Sequence, residues 1–242
     1  MLITAAAVAL ALQIATPAKI ATIELKGEPV RLAWSADGAQ LAIQTGERDK
    51  AGMLNNKPRF YLVSSADGKL SDASSFPDWA DTYWTWKSNN HTPWSAATSI
   101  DLKQEQKTLS ATSAPMGGDL AKGGSPDPAS GSTAGDVARH SYESQKVNAI
   151  TLTLMGETVG YFEGMQFIPG YTFGWAPKDL AAVAYVNSGG HLAVMDKDKN
   201  KQQVEGTKNV ILPAWSTDGS KIAFLEKAGK NKYELYVAGV SR

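Results

Sequence analysis

The segment Arg31-Leu-Ala-Trp-Ser-Ala-Asp-Gly-Ala-Gln-Leu-Ala-Ile43 returns near the other end of the chain as Leu212-Pro-Ala-Trp-Ser-Thr-Asp-Gly-Ser-Lys-Ile-Ala-Phe224. Both copies contain Trp-Ser-x-Asp-Gly, two further residues, and then an aliphatic residue followed by Ala. The apolar residues that alternate up to the Trp predict a half-buried strand. Ser-x-Asp-Gly predicts a tight turn, because an Asp side chain accepts bonds from nearby backbone N–H groups and Gly tolerates a positive φ. The unit therefore predicts two antiparallel strands joined by this turn.

Two weaker copies extend the pattern, one over residues 173–185 and a more eroded one over residues 83–94. A third apolar stretch follows the three clearer copies, at residues 59–63, 191–195 and 234–237. Trp175 and Trp215 are 40 residues apart, which is typical of the ~40–45-residue period of four-stranded propeller blades. We therefore predict an all-β fold, a small β-propeller of about four four-stranded blades.

The second predicted blade carries a long insertion. Residues 111–136 are rich in Gly, Ser, Ala and Pro and show no apolar period, a composition typical of flexible loops. We predict that residues 103–146 form a flexible insertion. The blade resumes at residues 149–154 and 158–162, where apolar and polar residues alternate.

The two ends of the chain are predicted to meet. The last repeat supplies three strands, while residues 20–25 alternate ahead of the first repeat. A strand from this N-terminal segment would complete the last blade and protect an exposed sheet edge. The alternative is an open stack of sheets that needs a partner along its edge.

Residues 1–16 form an apolar run without charged side chains. The run is shorter than the ~20 residues of a membrane-spanning helix, and Thr16-Pro17-Ala18 offers small residues for cleavage. Residues 1–18 therefore predict a secretory signal peptide, which leaves a mature domain of residues 19–242 that has no membrane span and is periplasmic or secreted. If residues 1–18 are retained, the protein is cytoplasmic. The alternative is a buried apolar segment packed on the domain.

The repeat Trp-Ser-x-Asp-Gly-x-x-[Ile/Leu]-Ala resembles the WD40-like repeats (PD40 repeats) of the TolB family of bacterial β-propellers. Two close copies and two eroded ones extend over residues 20–242. The resemblance implies a propeller that serves as a protein-binding platform in the periplasm. The same repeat occurs in propeller domains attached to peptidases and in some polysaccharide lyases. Because propellers host very different activities, the motif predicts the fold far better than the function.

Composition argues against several classes of function. Lys plus Arg and Asp plus Glu both number 24, so the net charge is zero, whereas nucleic-acid-binding proteins normally carry a basic face. The absence of Cys removes disulfides, thiolate metal sites and Cys nucleophiles. His91, His140 and His191 are not at metal-ligand spacing, and the sequence has no nucleophile-elbow or phosphate-loop motif. We therefore expect no metal, no cofactor, no nucleic-acid partner and no catalysis.

The repeat residues are expected to be structural: Trp34, Asp37, Gly38, Trp175, Trp215, Asp218 and Gly219. The Trp side chains are predicted to pack between blades rather than form a ligand platform, because large aromatic residues dominate cores. The Asp side chains are predicted to close their turns rather than to catalyse a reaction.

Aromatic residues are concentrated at the entry to the second predicted blade, where four of the seven Trp lie between residues 79 and 94. Clustered aromatics suit a contact surface for a protein or a sugar. The predicted partner-binding residues are Trp79, Tyr83, Trp84, Trp86, Trp94, Tyr161 and Phe162. The alternative is that these residues fill the core of a poorly formed blade.

The predicted function is a non-catalytic scaffold that binds another protein, such as a subunit of a membrane-associated envelope complex. The alternative is a carbohydrate-binding or carbohydrate-cleaving propeller.

Overall fold

The computed structural model describes residues 12–47, 57–81, 83, 138–143, 148–154, 157–163, 171–177, 180, 182–196, 198 and 200–242; for the three strands between 138 and 163 it describes the backbone. This part of the chain is nearly all β, as the repeat predicts. Its strands are, in chain order, β1 (Gln13–Ile14), β2 (Ala18–Glu24), β3 (Glu28–Trp34), β4 (Gln40–Gly46), β5 (Arg59–Ser64), β6 (Leu70–Ala73), β7 (Ala138–Glu143), β8 (Asn148–Leu154), β9 (Glu157–Glu163), β10 (Phe173–Trp175), β11 (Ala182–Val186), β12 (Leu192–Asp196), β13 (Lys201–Gln203), β14 (Val210–Trp215), β15 (Lys221–Gly229) and β16 (Lys232–Ser241). The described strands form four antiparallel sheets.

Sheet 1 contains the first repeat and has the strand order β3-β4-β5-β6. The Ser-x-Asp-Gly turn joins β3 to β4 and sets Trp34 opposite Leu41 and Ala33 opposite Ala42. These two neighbouring cross-strand pairs are fully buried, one pair on each face of the sheet. Because successive side chains of a strand point to opposite faces, other elements must pack on each side of sheet 1.

Sheet 3 contains the degenerate repeat and has the order β10-β11-β12-β13. Here Trp175 lies opposite Val183, in the same place in the hairpin as Trp34 in sheet 1. Sheet 2 consists of β7-β8-β9, and β9 contacts β11 of sheet 3.

Strand β7 lies inside the range 103–146 that the sequence analysis predicts as a flexible insertion. That prediction is wrong for these six residues, which pair along β8 from Ala138 opposite Thr153 to Glu143 opposite Asn148. Their own sequence has little apolar alternation. The alternating strand β8 supplies the hydrogen-bonding edge, so the neighbour rather than local propensity decides the conformation.

Sheet 4 contains the last repeat and receives the N-terminal segment. Strands β14, β15 and β16 follow one another, and β2 runs antiparallel along the free edge of β16. Glu24 lies opposite Lys232 and Ala18 opposite Val237, so the predicted pairing between the two ends of the chain is observed. Burial of Ile23 and Leu25 anchors this segment, and each such side chain contributes about 1.5–3 kcal/mol.

Strand β1 continues along the same edge of β16, with Ile14 opposite Val240. Pro17 lies in the gap between β1 and β2, where a residue without an N–H group interrupts the ladder. Residues 13 and 14 belong to the range predicted as a signal peptide, and in this structure they pack on the domain.

Two apolar clusters join the sheets. The first combines residues of sheets 1 and 4, with Trp34, Leu212 and Ile23 among its members. The second combines residues of sheets 3 and 4, including Trp215 and Leu192. Strand β14 contacts both β3 and β10, so sheet 4 lies between sheets 1 and 3.

A short helical segment follows sheet 1 at residues 78–81 and 83. The carbonyl of Pro77 accepts the N–H groups of Ala80 and Asp81. Pro77 is therefore the N-cap residue, immediately before the first helical position. The periodicity of the sequence did not predict this segment, which is too short to show a helical pattern.

Candidate functional site

The turn at Ser35–Gly38 is closed by side chains. The hydroxyl of Ser35 donates to Oδ1 of Asp37 (2.6 Å), which also accepts the N–H of Ala39 (3.0 Å). The Ser35 oxygen in turn accepts the N–H of Gln40 (2.9 Å). The Ser35 hydrogen bond, followed by that from Ala39, holds the pKa of Asp37 below its ordinary value. The carboxylate is thus occupied with the turn, as its sequence position predicts.

The turn at Ser216–Gly219 repeats this arrangement. Asp218 accepts the hydroxyl of Ser216 and the N–H of Ser220, and the Ser216 oxygen accepts the N–H of Lys221. Burial acts to raise the pKa of Asp218, but the hydrogen bonds from Ser216 and Ser220 outweigh it and lower the pKa. The Thr217 hydroxyl donates to the carbonyl of Ala36 (2.9 Å), which shows that the two turns lie side by side.

The repeat tryptophans link one sheet to the next. The indole N–H of Trp34 donates to the carbonyl of Ala214 in β14 (2.9 Å), and that of Trp215 donates to the carbonyl of Gly174 in β10 (3.0 Å). In each case the acceptor is the residue before the next repeat tryptophan. All three rings, including that of Trp175, are buried, so they occupy the packing role that the sequence analysis assigns to them.

The predicted partner-binding residues do not form one exposed face. Tyr83 is fully buried, and its hydroxyl donates to the carbonyl of Trp215. Its assignment to the partner surface is therefore corrected: it is a core residue, and burial raises its pKa well above the ordinary value. Trp79 is partly buried and packs against the first cluster.

Trp84, Trp86 and Trp94 lie outside the described residues. Tyr161 and Phe162 are on β9, opposite Thr151 and Ile150, where the structure describes the backbone.

A half-buried surface at the helical segment combines aromatic and charged groups. We call it the Phe76 patch, and its members are Arg31, Phe60, Phe76, Trp79 and Asp81. The Arg31 guanidinium lies 5.8 Å from the centroid of the Phe76 ring, and its Nη1 is 2.8 Å from Oδ1 of Asp81. The ring centroids of Phe60 and Phe76 are 6.1 Å apart. The arginine is therefore held between a ring and a carboxylate.

Sequence reasoning missed Arg31 and Phe60 as members of this surface. Arg31 pairs with Gln44, and Gln44 pairs with Phe60, so the three lie in one row across sheet 1. The signal that could have found them is the strand register, which the turn geometry sets.

Strand β15 of sheet 4 carries a buried carboxyl group. Glu226 is 4% exposed and accepts the N–H of Lys208 (2.8 Å). Burial raises the pKa of Glu226, while the hydrogen bond from Lys208 opposes the shift. The ring Nδ1 of His191 contacts the carbonyl of Thr207 in the same region. His140 is on β7, and His91 lies outside the described residues.

Within the described part of the chain, no group of three or more His, Asp or Glu is placed to hold a metal ion. No helix among the described residues has the length and apolar character needed to cross a membrane.

Comparisons with known proteins leave the family open. No protein-family model matches the sequence, and no curated protein matches it. Among solved structures, the chain aligns with oligogalacturonate lyase from Vibrio parahaemolyticus, with a TM-score of 0.25 and 11% identity over 89% of this chain and 67% of that one. A TM-score this low supports no comparison of fold or site.

Proposed function

We propose that the chain is a small β-propeller of the TolB type in which each of the four sheets is a blade. The repeated indole-to-carbonyl bond supports this arrangement, because Trp34 reaches sheet 4 and Trp215 reaches sheet 3 in the same way. One rotation that relates sheet 1 to sheet 4 and sheet 4 to sheet 3 produces a ring of blades when its repetition closes, as we propose for sheet 2 between sheets 3 and 1. Strand β2 is then the outer strand that joins the last blade to the start of the chain.

Tyr83 supports a narrow, filled centre for such a ring. It follows sheet 1 and precedes sheet 2 in the chain, yet its hydroxyl binds the Trp215 carbonyl in sheet 4. In such a ring β14, the first strand of sheet 4, faces the axis. The buried Tyr83 side chain, which extends from the segment after sheet 1 to the end of β14, occupies space on this inner side.

We further propose that the protein is a non-catalytic scaffold that binds another protein. The Phe76 patch is the single observation that carries this proposal. Aromatic and arginine side chains dominate binding energy at protein interfaces. Here the Arg31 side chain, 35% exposed, is already held by Phe76 and Asp81. A preordered arginine loses less conformational entropy on binding than a free one.

The environment of the repeat carboxylates favours a scaffold over an enzyme. A catalytic carboxylate needs access to substrate and a pKa suited to proton transfer. Asp37 and Asp218 instead accept turn hydrogen bonds that lower their pKa. We propose a partner in the cell envelope, as the resemblance to the TolB repeats implies.

Affinity purification of the full chain, followed by mass spectrometry, tests this function. The Arg31→Glu and Trp79→Ala variants are each expected to capture the partner of the wild-type protein about 10-fold less well or worse, which is the range of a hot-spot residue. Lys232→Ala, an exposed residue of sheet 4, is the matched control and should capture as well as wild type.

The same variants distinguish a protein-binding scaffold from a carbohydrate-binding propeller. If folded Arg31→Glu and Trp79→Ala proteins retain full capture, the Phe76 patch is not the binding surface. Specific, saturable binding on a glycan array, lost in Trp79→Ala, would replace the scaffold with a carbohydrate-binding propeller.

A further inference from the structure

The edge of β16 holds the N-terminal segment by its backbone. Gln13 lies opposite Ser241 and Ile14 opposite Val240, and the N–H of Ala15 donates to the carbonyl of Gly239 (2.9 Å). These contacts involve main-chain groups, so they place few demands on side-chain identity.

The opposite edge of this segment is held by a side chain of sheet 3. In an antiparallel ladder, alternate residues direct their N–H and C=O groups away from the partner strand, and Ile14 is such a residue. The Gln202 amide oxygen accepts the Ile14 N–H (3.2 Å), and the Gln202 amide nitrogen donates to the Ile14 carbonyl (3.4 Å). Gln202 therefore pairs with Ile14 as another peptide group would.

The side chain of Ile14 enters an apolar site. It is 8% exposed and belongs to the second cluster, together with Val194, Val204 and Phe224. Next to it, a cavity of about 180 Å³ is lined by Leu12, Val194, Asp196, Asn200, Lys201 and Gln202. The site thus selects an aliphatic residue at position 14, and the cavity leaves room beside Leu12.

We propose that residues 239–241 of β16 and the Gln202 side chain, which we call the β16 slot, form a binding site for an extended apolar peptide. The chain's own residues 12–15 occupy the slot here, and a partner segment of the same chemistry can replace them. Strand addition of this kind takes its affinity from main-chain bonds and its specificity from side-chain pockets.

Exchange is possible because β1 and β2 are separate pieces of one edge. Pro17 interrupts the ladder between them, so β1 can leave without separating β2 from β16. The proposal does not depend on the function of the Phe76 patch, which lies on sheet 1.

Fluorescence anisotropy with a labelled peptide of residues 11–16, Ala-Leu-Gln-Ile-Ala-Thr, tests the slot in the full chain. Ile14→Asp places a charge in the apolar site and expels the chain's own segment. The peptide is expected to bind this variant at least about 10-fold more tightly than wild type, in which the slot is filled. Adding Gln202→Ala should weaken binding by about 10-fold, because it removes two modest hydrogen bonds. A peptide carrying Asp in place of the Ile should not bind.

A folded Ile14→Asp protein that shows no saturable binding would overturn the proposal, as would equal affinity for wild type and variant. If Ile14→Asp does not fold, hydrogen exchange on wild type decides. The Ala15 amide, bound to Gly239, should exchange at least about 100-fold faster than the Leu25 amide, bound to Asn231 in the turn before β16. Equal exchange rates would show that β1 opens together with the whole edge and would refute an exchangeable segment.

Discussion

Two glycines in Asp-Gly turns provide a matched test of where the N-terminal strand lies. Gly38 and Gly68 both adopt a left-handed backbone, with φ of 69° and 71°. A Cβ added at Gly38 meets nothing within 4 Å. A Cβ added at Gly68 would lie 2.7 Å from the Ile20 carbonyl oxygen and 2.7 Å from the Ala21 Cβ, both in β2. Gly68→Ala therefore probes the contact between β2 and the β5–β6 turn, with Gly38→Ala as its control.

The expected costs follow from two separate terms. An L-residue in the left-handed region costs about 1–2 kcal/mol, and both variants carry this term. At Gly68 the overlap adds about 1–3 kcal/mol, because a backbone carbonyl cannot rotate out of the way as a side chain can. Gly38→Ala should lower the free energy of unfolding by about 1–2 kcal/mol and Gly68→Ala by about 2–5 kcal/mol.

Urea unfolding of both variants measures the difference directly. The m-value should stay constant, so that the midpoint reports stability. In thermal unfolding, each kcal/mol corresponds to a fall of about 2–4 °C for a chain of this size. Equal destabilisation by the two variants would refute the placement of β2 against this turn.

Three further predictions address the core and the carboxylates. Trp34→Phe removes the donor to the Ala214 carbonyl and should cost about 1–3 kcal/mol by urea unfolding; a cost no larger than that of Trp79→Phe would contradict the role of the indole bond. The lowered pKa of Asp218 means that unfolding takes up a proton, so its contribution is present above the unfolded pKa and is lost as pH falls through the lower folded pKa. The free energy of unfolding should therefore fall less steeply between about pH 5 and about pH 2.5 for Asp218→Asn than for wild type. Identical slopes would contradict the hydrogen bonds that the Asp218 carboxylate accepts in the folded turn. Because burial raises the pKa of Glu226 in the folded protein, wild type gains stability relative to Glu226→Gln as pH falls through the folded pKa and then the lower unfolded pKa. At pH 7 Glu226→Gln should be at least as stable as wild type, and a loss that persists at neutral pH would be inconsistent with this sign.

The repeated Trp-Ser-x-Asp-Gly pattern determined how its hairpins close. Trp34 and Trp215 occupy equivalent places because identical local patterns form identical hairpins, and their Asp-Gly turns close with the same hydrogen bonds. The candidate surface was predicted less well. Tyr83 is an aromatic residue in a loop-like sequence, and nothing in its neighbourhood reveals that it is buried against Trp215.

The sequence by itself determined the hairpins and their turns, since these depend on short-range alternation and on turn chemistry between neighbouring residues. It also predicted the pairing of the chain's two ends, because the last repeat supplies three strands and the N-terminal segment alternates as a fourth strand would. The tertiary structure decided which side chains share a surface. Arg31, Phe60 and Asp81 meet because strand register and the helical segment bring them together across 50 residues of chain. Likewise, Gln202 meets Ile14 from 188 positions away. Such contacts depend on how separate sheets stack, and that stacking depends on the summed burial of both apolar clusters rather than on any local pattern.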